Sequence, residues 1–395
     1  MKTTTIFQLI STLTLALCAT AQEPFIITFN PPGAGTGAGQ GTPSCCAMNS
    51  KGALASYYTD SNNVVHGFLR SPEGEITTFD VPGAGNENVP GYYLTGSLIL
   101  TGQGTYAYSI NSAGTIAGFY FDSSNVAHGF LRDPDGKFTT FDAPKKYAGT
   151  GLGQGTLAGN INDNGIVAGN TIDANGVGHG FIREADGNIQ IFDAPYAGNG
   201  NAQGTFLGLS TCINDLGEVA GWSIDSSNVV HGVAGVPNGV LNTFEAPGAG
   251  SGQPGPNGNQ GTFAWSINVS GTVTAWFVDN NNVGHGYLRD AFGRITEFDV
   301  PGAGTCSTCG TLPENVNDAG VIIGEYIDNS NVNHGFQRDA TGRITKFDVP
   351  GAGTCSGCGT LPFLNNSTGA ISGMYFDSNG ALHGFLLPFG LPGNP

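Results

Sequence analysis

Every histidine of this chain lies in one recurring phrase. His66, His128, His179, His231, His285, His334 and His383 are each followed by glycine, and in five cases then by phenylalanine. The gaps between them are 62, 51, 52, 54, 49 and 49 residues. A rare residue confined to one phrase marks an internal repeat, and a period near fifty predicts a solenoid or a propeller. It also argues against histidine catalysis, because a general base needs an environment and a partner of its own, and these seven share one.

Each unit reads as four short strands. In the second, Gly104 to Asn111, Thr115 to Phe121, Val126 to Arg132 and Lys137 to Asp142 favour β-structure, with Ser, Asn, Asp, Pro and Gly between them. No helical periodicity interrupts the pattern. We label these strands A, B, C and D. After strand A stand Asn49, Asn111, Asn162, Asn214, Asn268, Asn317 and Asn366, each with Gly three residues later, where a tight hairpin needs a positive φ. After strand B stand Asp60, Asp122, Asp173, Asp225, Asp279, Asp328 and Asp377, whose short carboxylates suit the capping of turn amides. The expected fold is all-β: a seven-bladed β-propeller of four-stranded antiparallel blades.

The chain ends predict closure. Strand D carries Phe-Asp at Phe79, Phe141, Phe192, Phe298 and Phe347, with Phe244-Glu245 as a variant, but the last unit stops at Leu386-Leu387-Pro388 without one. Residues 25–30, Phe-Ile-Ile-Thr-Phe-Asn, read as a strand D with no A, B or C of its own. This strand is expected to complete the blade formed by about 360–387, leaving no exposed sheet end. An open β-solenoid would leave the displaced strand unexplained.

Lys2, the apolar run Ile6 to Cys18 and Ala19-Thr20-Ala21 have the form of a secretory signal. Residues 1–21 are therefore expected to be removed, leaving 22–395 as a single extracellular domain. Cys18 follows Leu17 rather than a small residue, which disfavours a lipoprotein. No other apolar run has the roughly 18 residues of a membrane span. The formal net charge of −17 and the lack of a basic stripe exclude nucleic acid as the expected partner. A monomer is expected.

The phrases resemble the extracellular HAF-repeat family, named for a His-Ala/Gly-Phe triplet in each unit. The matching triplets begin at His66, His128, His179, His334 and His383; His231-Gly232-Val233 and His285-Gly286-Tyr287 depart from it. The likeness covers essentially the whole mature chain. It implies a secreted repeat protein and carries no defined activity.

Strand order puts the B–C turns and the D-to-A inter-blade loops on one face, and the A–B and C–D turns on the other. The second face, made of near-uniform turns, reads as structural. The inter-blade loops vary most and are the expected binding surface, for a glycan or a protein. The longest contains Tyr92 and Tyr93 ahead of Leu98-Ile99-Leu100: a candidate contact, or a loop burying its own apolar groups. With a four-residue C–D turn, His66 would lie opposite Phe79 and one step from Asp80, a structural role. The repeated Asp residues lack a calcium-loop spacing, so no metal and no cofactor is expected. Trp222 and Trp276 occupy similar places in strand B, but the other units carry Tyr57, Phe119, Asn170, Glu325 or Met374 there. This argues against one sugar platform per blade.

Cys306, Cys309, Cys355 and Cys358 form two C-x-x-C phrases before units six and seven, and Cys45-Cys46 lies in unit one. Once the ring closes, these six share one sector, where disulfides of open connectivity are expected to reinforce the closure. A four-thiolate zinc site is the alternative. Cys212 has no evident partner. The chain thus reads as a non-catalytic binding or surface-interaction module. The alternative is an extracellular hydrolase or lyase acting on a polysaccharide-type substrate through loop-face carboxylates. An enzyme would need polar residues unique to one or two blades, and Glu87, Glu218, Glu314 and Glu325 are such breaks.

Overall fold

The computed structural model describes residues 25–43, 47–89, 92–94, 98–100, 102–208, 211–237, 239–252 and 260–391, with the backbone alone at 92–94 and 98–100. The signal segment and Cys45-Cys46 lie outside the described residues. Those residues form strands and turns, with no helix among them, and no helix long and apolar enough to cross a membrane.

Unit two shows the plan. Strands Gly104–Ile110, Ile116–Phe121, Ala127–Arg132 and Phe138–Phe141 pair antiparallel in that order. The turn residues act as their chemistry requires. Asn111 Oδ1 accepts from Thr115 N at 3.0 Å, and Asp122 Oδ1 from Ser124 N and Val126 N at 2.8 and 2.9 Å. Strand A is buried at every position while strand D is half exposed. Strand A therefore lies inside and strand D at the rim.

The His-Gly-Phe phrase has a packing reason at each residue. Gly129 sits across from Phe141, and a Cβ on it would lie 2.6 Å from that ring. Glycine is thus required for the strand D ring to lie flat on strand C. Phe130 is fully buried, and the next unit's equivalent, Phe181, takes the edge of the Phe141 ring at 6.2 Å. Arg183 stacks over the same ring at 4.9 Å.

Units join by a hand-off between strands. Gly104, Gly155, Gly204, Gly261, Gly310 and Gly359, all at φ between +118° and +127°, each pair in parallel with the first residue of the preceding unit's strand C. A Cβ there would strike that strand's carbonyl oxygen. The following Thr caps the preceding strand D: Thr156 Oγ1, for example, accepts from Ala143 N at 2.9 Å.

The same contacts run from the last unit to the first. Gly41 bridges in parallel to Leu382. Ile27–Phe29 pairs antiparallel with Leu382–Leu387, Phe29 opposite Gly384. Phe29 also meets the edge of Phe68 at 6.2 Å and lies under Arg70 at 5.3 Å, as Phe141 does with Phe181 and Arg183. The displaced strand expected at residues 25–30 therefore does the work of a strand D, over Ile27–Phe29.

Candidate functional site

Each histidine bonds through Nδ1 and turns Nε2 towards a second acid. Nδ1 meets the acid that follows strand D: Asp142 at 2.8 Å from His128, Asp193 at 2.8 Å from His179, and Glu245 from His231. Nε2 faces the Asp that follows strand B, at 3.3 to 3.9 Å throughout. His383 has Asn30 of the N-terminal strand in place of the strand D acid, at 2.9 Å. Five rings also stack on a strand B aromatic, such as Tyr120 on His128 at 5.1 Å. Hydrogen bonds donated to Asp80, Asp142 and Glu245 hold His66, His128 and His231 above the ordinary imidazole pKa. Seven near-equivalent clamps tie strand C to its neighbours.

The register corrects the expected pairing by one residue. Gly67, not His66, lies opposite Phe79, because the C–D turn spans five residues, Ser71 to Glu75, with Arg70 opposite Ile76. The longer turn brings His66 directly to Asp80, at 3.0 Å.

Cys306 pairs with Cys309 and Cys355 with Cys358, at disulfide distance. Disulfides are expected here with connectivity open, and each of these two pairs closes its own turn. Their place in the repeat explains why. In five units a Gln precedes the hand-off glycine; Gln154 Oε1 accepts from Gly151 N, and Gln203 Oε1 from Gly200 N, at 2.8 and 2.9 Å. Cys309 and Cys358 stand in the Gln position and Cys306 and Cys355 three residues earlier. A covalent link thus replaces the hydrogen bond that pins this loop elsewhere. Cys212 is a buried free thiol, and burial pushes its pKa up to about 12.

Tyr92–Leu94 and Leu98–Leu100 form a separate antiparallel hairpin, Tyr92 opposite Leu100 and Tyr93 opposite Ile99. Their side chains lie outside the described residues.

A depression of about 230 Å³ opens at the A–B turn end and is lined from all seven units. The sequence reading treated this face as structural, and the bonding supports that. Asn49 Nδ2 donates to Asn111 O, Asn111 to Asn162 O, Asn162 to Asn214 O, Asn214 to Asn268 O, Asn268 to Asn317 O, Asn317 to Asn366 O, and Asn366 to Asn49 O, at 3.0 to 3.3 Å. Below this circle Asn315 Nδ2 donates to Thr211 Oγ1 and Ser266 Oγ, and Asn160 Nδ2 to Ser109 Oγ. The polar lining is largely spent on holding units together.

Between that floor and the inter-unit loops lies a belt where the repeat is broken. Strand A slips register at Tyr108, Gly159, Glu314 and Phe363, a bulge that turns one extra residue out of the ladder. Eleven residues on, strand B places Phe119, Asn170, Glu325 and Met374, each opposite the strand A residue two before the bulge. Unit five has Trp265 and Trp276 at these two positions. Tyr57, Tyr108, Phe119, Trp222, Phe263 and Trp276 form one apolar cluster, with Trp265 and Leu312 packed against it. Unit six alone puts two acids there.

Glu314 and Glu325 are only 5% and 7% exposed, and each has an Oε2 with no hydrogen-bond partner among the described residues. Burial pushes both carboxyls up, and the Glu325 charge raises Glu314 further. Of the four acids that broke the repeat in sequence, the structure brings these two together. Glu218 is taken up by Asn214 Nδ2 at 2.7 Å, and the Glu87 amide is bonded to Gln103 Oε1. The eleven-residue spacing shared by Tyr108/Phe119, Trp265/Trp276 and Glu314/Glu325 was the sequence signal for this pairing.

The structure resembles virginiamycin B lyase from Staphylococcus aureus, with a TM-score of 0.53 at 14% identity over 92% of this chain and 99% of that one. It is similarly close to a lectin from Burkholderia pseudomallei, with a TM-score of 0.53 at 9% identity over 87% and 96%. These are β-propeller proteins. So is the fold of this chain. Puromycin hydrolase gives a TM-score of 0.51 at 11% identity, over 85% of this chain and 50% of that one. At such identities the likeness concerns the propeller fold alone. No family model matches the chain, and no curated protein matches it in sequence.

Proposed function

We propose that the seven units close into one seven-bladed propeller, secreted through residues 1–21 and akin to HAF-repeat proteins, that holds a small ligand on its axis beside Glu314 and Glu325. Closure is supported by the circle of Asn bonds returning from Asn366 to Asn49 and by Phe29 taking the strand D place against Gly384, Phe68 and Arg70. Secretion is supported by the form of the N-terminus and by cysteine pairs suited to an oxidising compartment.

The observation that carries the binding reading is the break in the axial belt. Buried polar atoms are normally hydrogen-bonded, and a pair of carboxyl oxygens without partners in an aromatic belt is costly unless something meets them. Melting of the secreted chain across a panel of glycans, polyols, amines and cations tests it, since a ligand of the folded state raises the melting temperature by mass action. A saturable rise lost in E314Q/E325Q supports axial binding. A rise that survives those substitutions places binding elsewhere, with the inter-blade loops next in line.

The same pair favours a second reading, an extracellular hydrolase or lyase. Two carboxyls held protonated at neutral pH supply a proton donor beside a second acid, the pairing that general acid–base chemistry uses. Incubation with the stabilising ligand decides it: product formed by the native protein and not by E314Q makes the protein an enzyme.

A further inference from the structure

We infer that the Glu314–Glu325 pair receives a small organic ammonium ion, whose N–H groups complete the two unpartnered carboxyl oxygens and whose charge is set against one carboxylate. The inference rests on the axial-binding reading and names its ligand class. Both acids are more than nine-tenths buried, and both Oε2 atoms lack a donor among the described residues. A third unmatched group belongs to the same belt: the indole N–H of Trp222, 3% exposed, has no acceptor among the described residues. Trp222 stacks on Trp265 at 5.3 Å, and Trp265 packs on Trp276 at 5.5 Å. Strand B of unit five, which carries Trp276, packs against strand A of unit six, which carries Glu314.

Other ligand classes fit less well. An anion gains no opposite charge from two carboxyls and would be repelled once either ionised. A divalent cation needs more oxygen donors than two carboxyls, and among the described residues no group of three or more His, Cys, Asp or Glu is placed to hold a metal. A neutral polyol would fill hydrogen bonds but would not compensate a carboxylate formed on binding. An ammonium ion does both, and tryptophan faces favour a cation. Neither Glu314 nor Glu325 lines the turn-face depression, and the proposed ligand enters from the loop face. Binding is balanced when one carboxyl gives up its proton and the other keeps it: one ammonium, one carboxylate, one carboxylic acid.

Titration calorimetry and tryptophan fluorescence test this on the secreted chain with ethanolammonium, whose hydroxyl also offers Trp222 an acceptor. Ethylene glycol serves as the neutral match, and choline as the cation without N–H. The expected result is saturable 1:1 binding of ethanolammonium alone, with one proton released. Affinity should rise about tenfold per pH unit while the free pair stays protonated. E314Q/E325Q should abolish binding and Glu218→Gln should preserve it. Should the double variant fail to fold, E325Q and the proton count on the native protein carry the test. Equal binding of ethylene glycol, or no saturation by ethanolammonium, overturns the inference. A neutral compound that stabilises the native protein but not E314Q/E325Q would overturn the ammonium assignment and leave axial binding standing. No response to any compound would overturn both.

Discussion

Replacing Glu325 by Gln should stabilise the protein at neutral pH and leave it unchanged in acid. The Glu325 carboxyl is raised from 4.5 to about 8 by burial. The native state therefore keeps its proton over a range where the unfolded chain releases it. Stability from this group is complete below about pH 4.5 and falls as the pH rises towards the folded value, with the unfolded state binding fewer protons. Between pH 4.5 and 7 the interval is about 2.5 units, which at about 1.4 kcal/mol per unit is roughly 3 kcal/mol. Glutamine has the shape of the protonated acid and no charge to lose. Denaturant unfolding of both proteins between pH 4 and 8 should give curves that coincide at the acid end and diverge by roughly that amount at pH 7. Parallel curves across the range would show that the carboxyl is solvated in the folded protein, and the account of a dry, unpaired acid would be wrong.

Removing the Phe29 ring should be costly for a residue so near a chain end. Phe29→Ala should lose about 2 kcal/mol or more in denaturant unfolding, because it empties the site shared by Gly384, Phe68 and Arg70; a loss near zero would refute closure by this strand. Gly129→Ala should lower the melting temperature more than Gly39→Ala, since a Cβ at Gly129 meets the Phe141 ring at 2.6 Å, while Gly39, left-handed at φ +75°, carries backbone strain but no clash within 4 Å. The His128 pKa is raised chiefly by its hydrogen bond to Asp142. Its contribution is therefore present in full below pH 6.5 and lost as the pH rises through the folded value, so His128→Gln should weaken the protein at pH 5.5 more than at pH 8. Reducing Cys306–Cys309 and Cys355–Cys358 should cost no more than about 2 kcal/mol each, since each closes a loop of only four residues.

Much of the fold was legible because a repeat forces the same physical solution at each copy. Asn at the A–B turn and Asp at the B–C turn announce their hairpins by side-chain chemistry that acts within four residues, and the structure shows those bonds. The surplus strand at the N-terminus was legible for a related reason: the last unit lacked one. The one-residue error at His66 came from the C–D turn, where Ser71 to Glu75 contain a five-residue loop that Pro and Gly signals do not distinguish from four. The sequence left the cysteine connectivity open, and in the structure each C-x-x-C phrase pairs within itself. Only the aligned loops show Cys309 and Cys358 standing where other units place Gln.

The sequence by itself determined what is periodic: the strand number per unit and the hairpin chemistry of the Asn and Asp turns, because these depend on neighbours a fixed distance along the chain. The tertiary structure alone decided what the period cannot carry. Glu314 is a bulge residue, and its direction depends on a register slip between Pro313 and Asn315. Its nearness to Glu325 follows from the hairpin of unit six, but its nearness to tryptophans contributed by other units exists only because the units bring their inner strands together. A buried charge acquires its meaning from what surrounds it in space, and that surrounding is assembled from residues far apart in the chain.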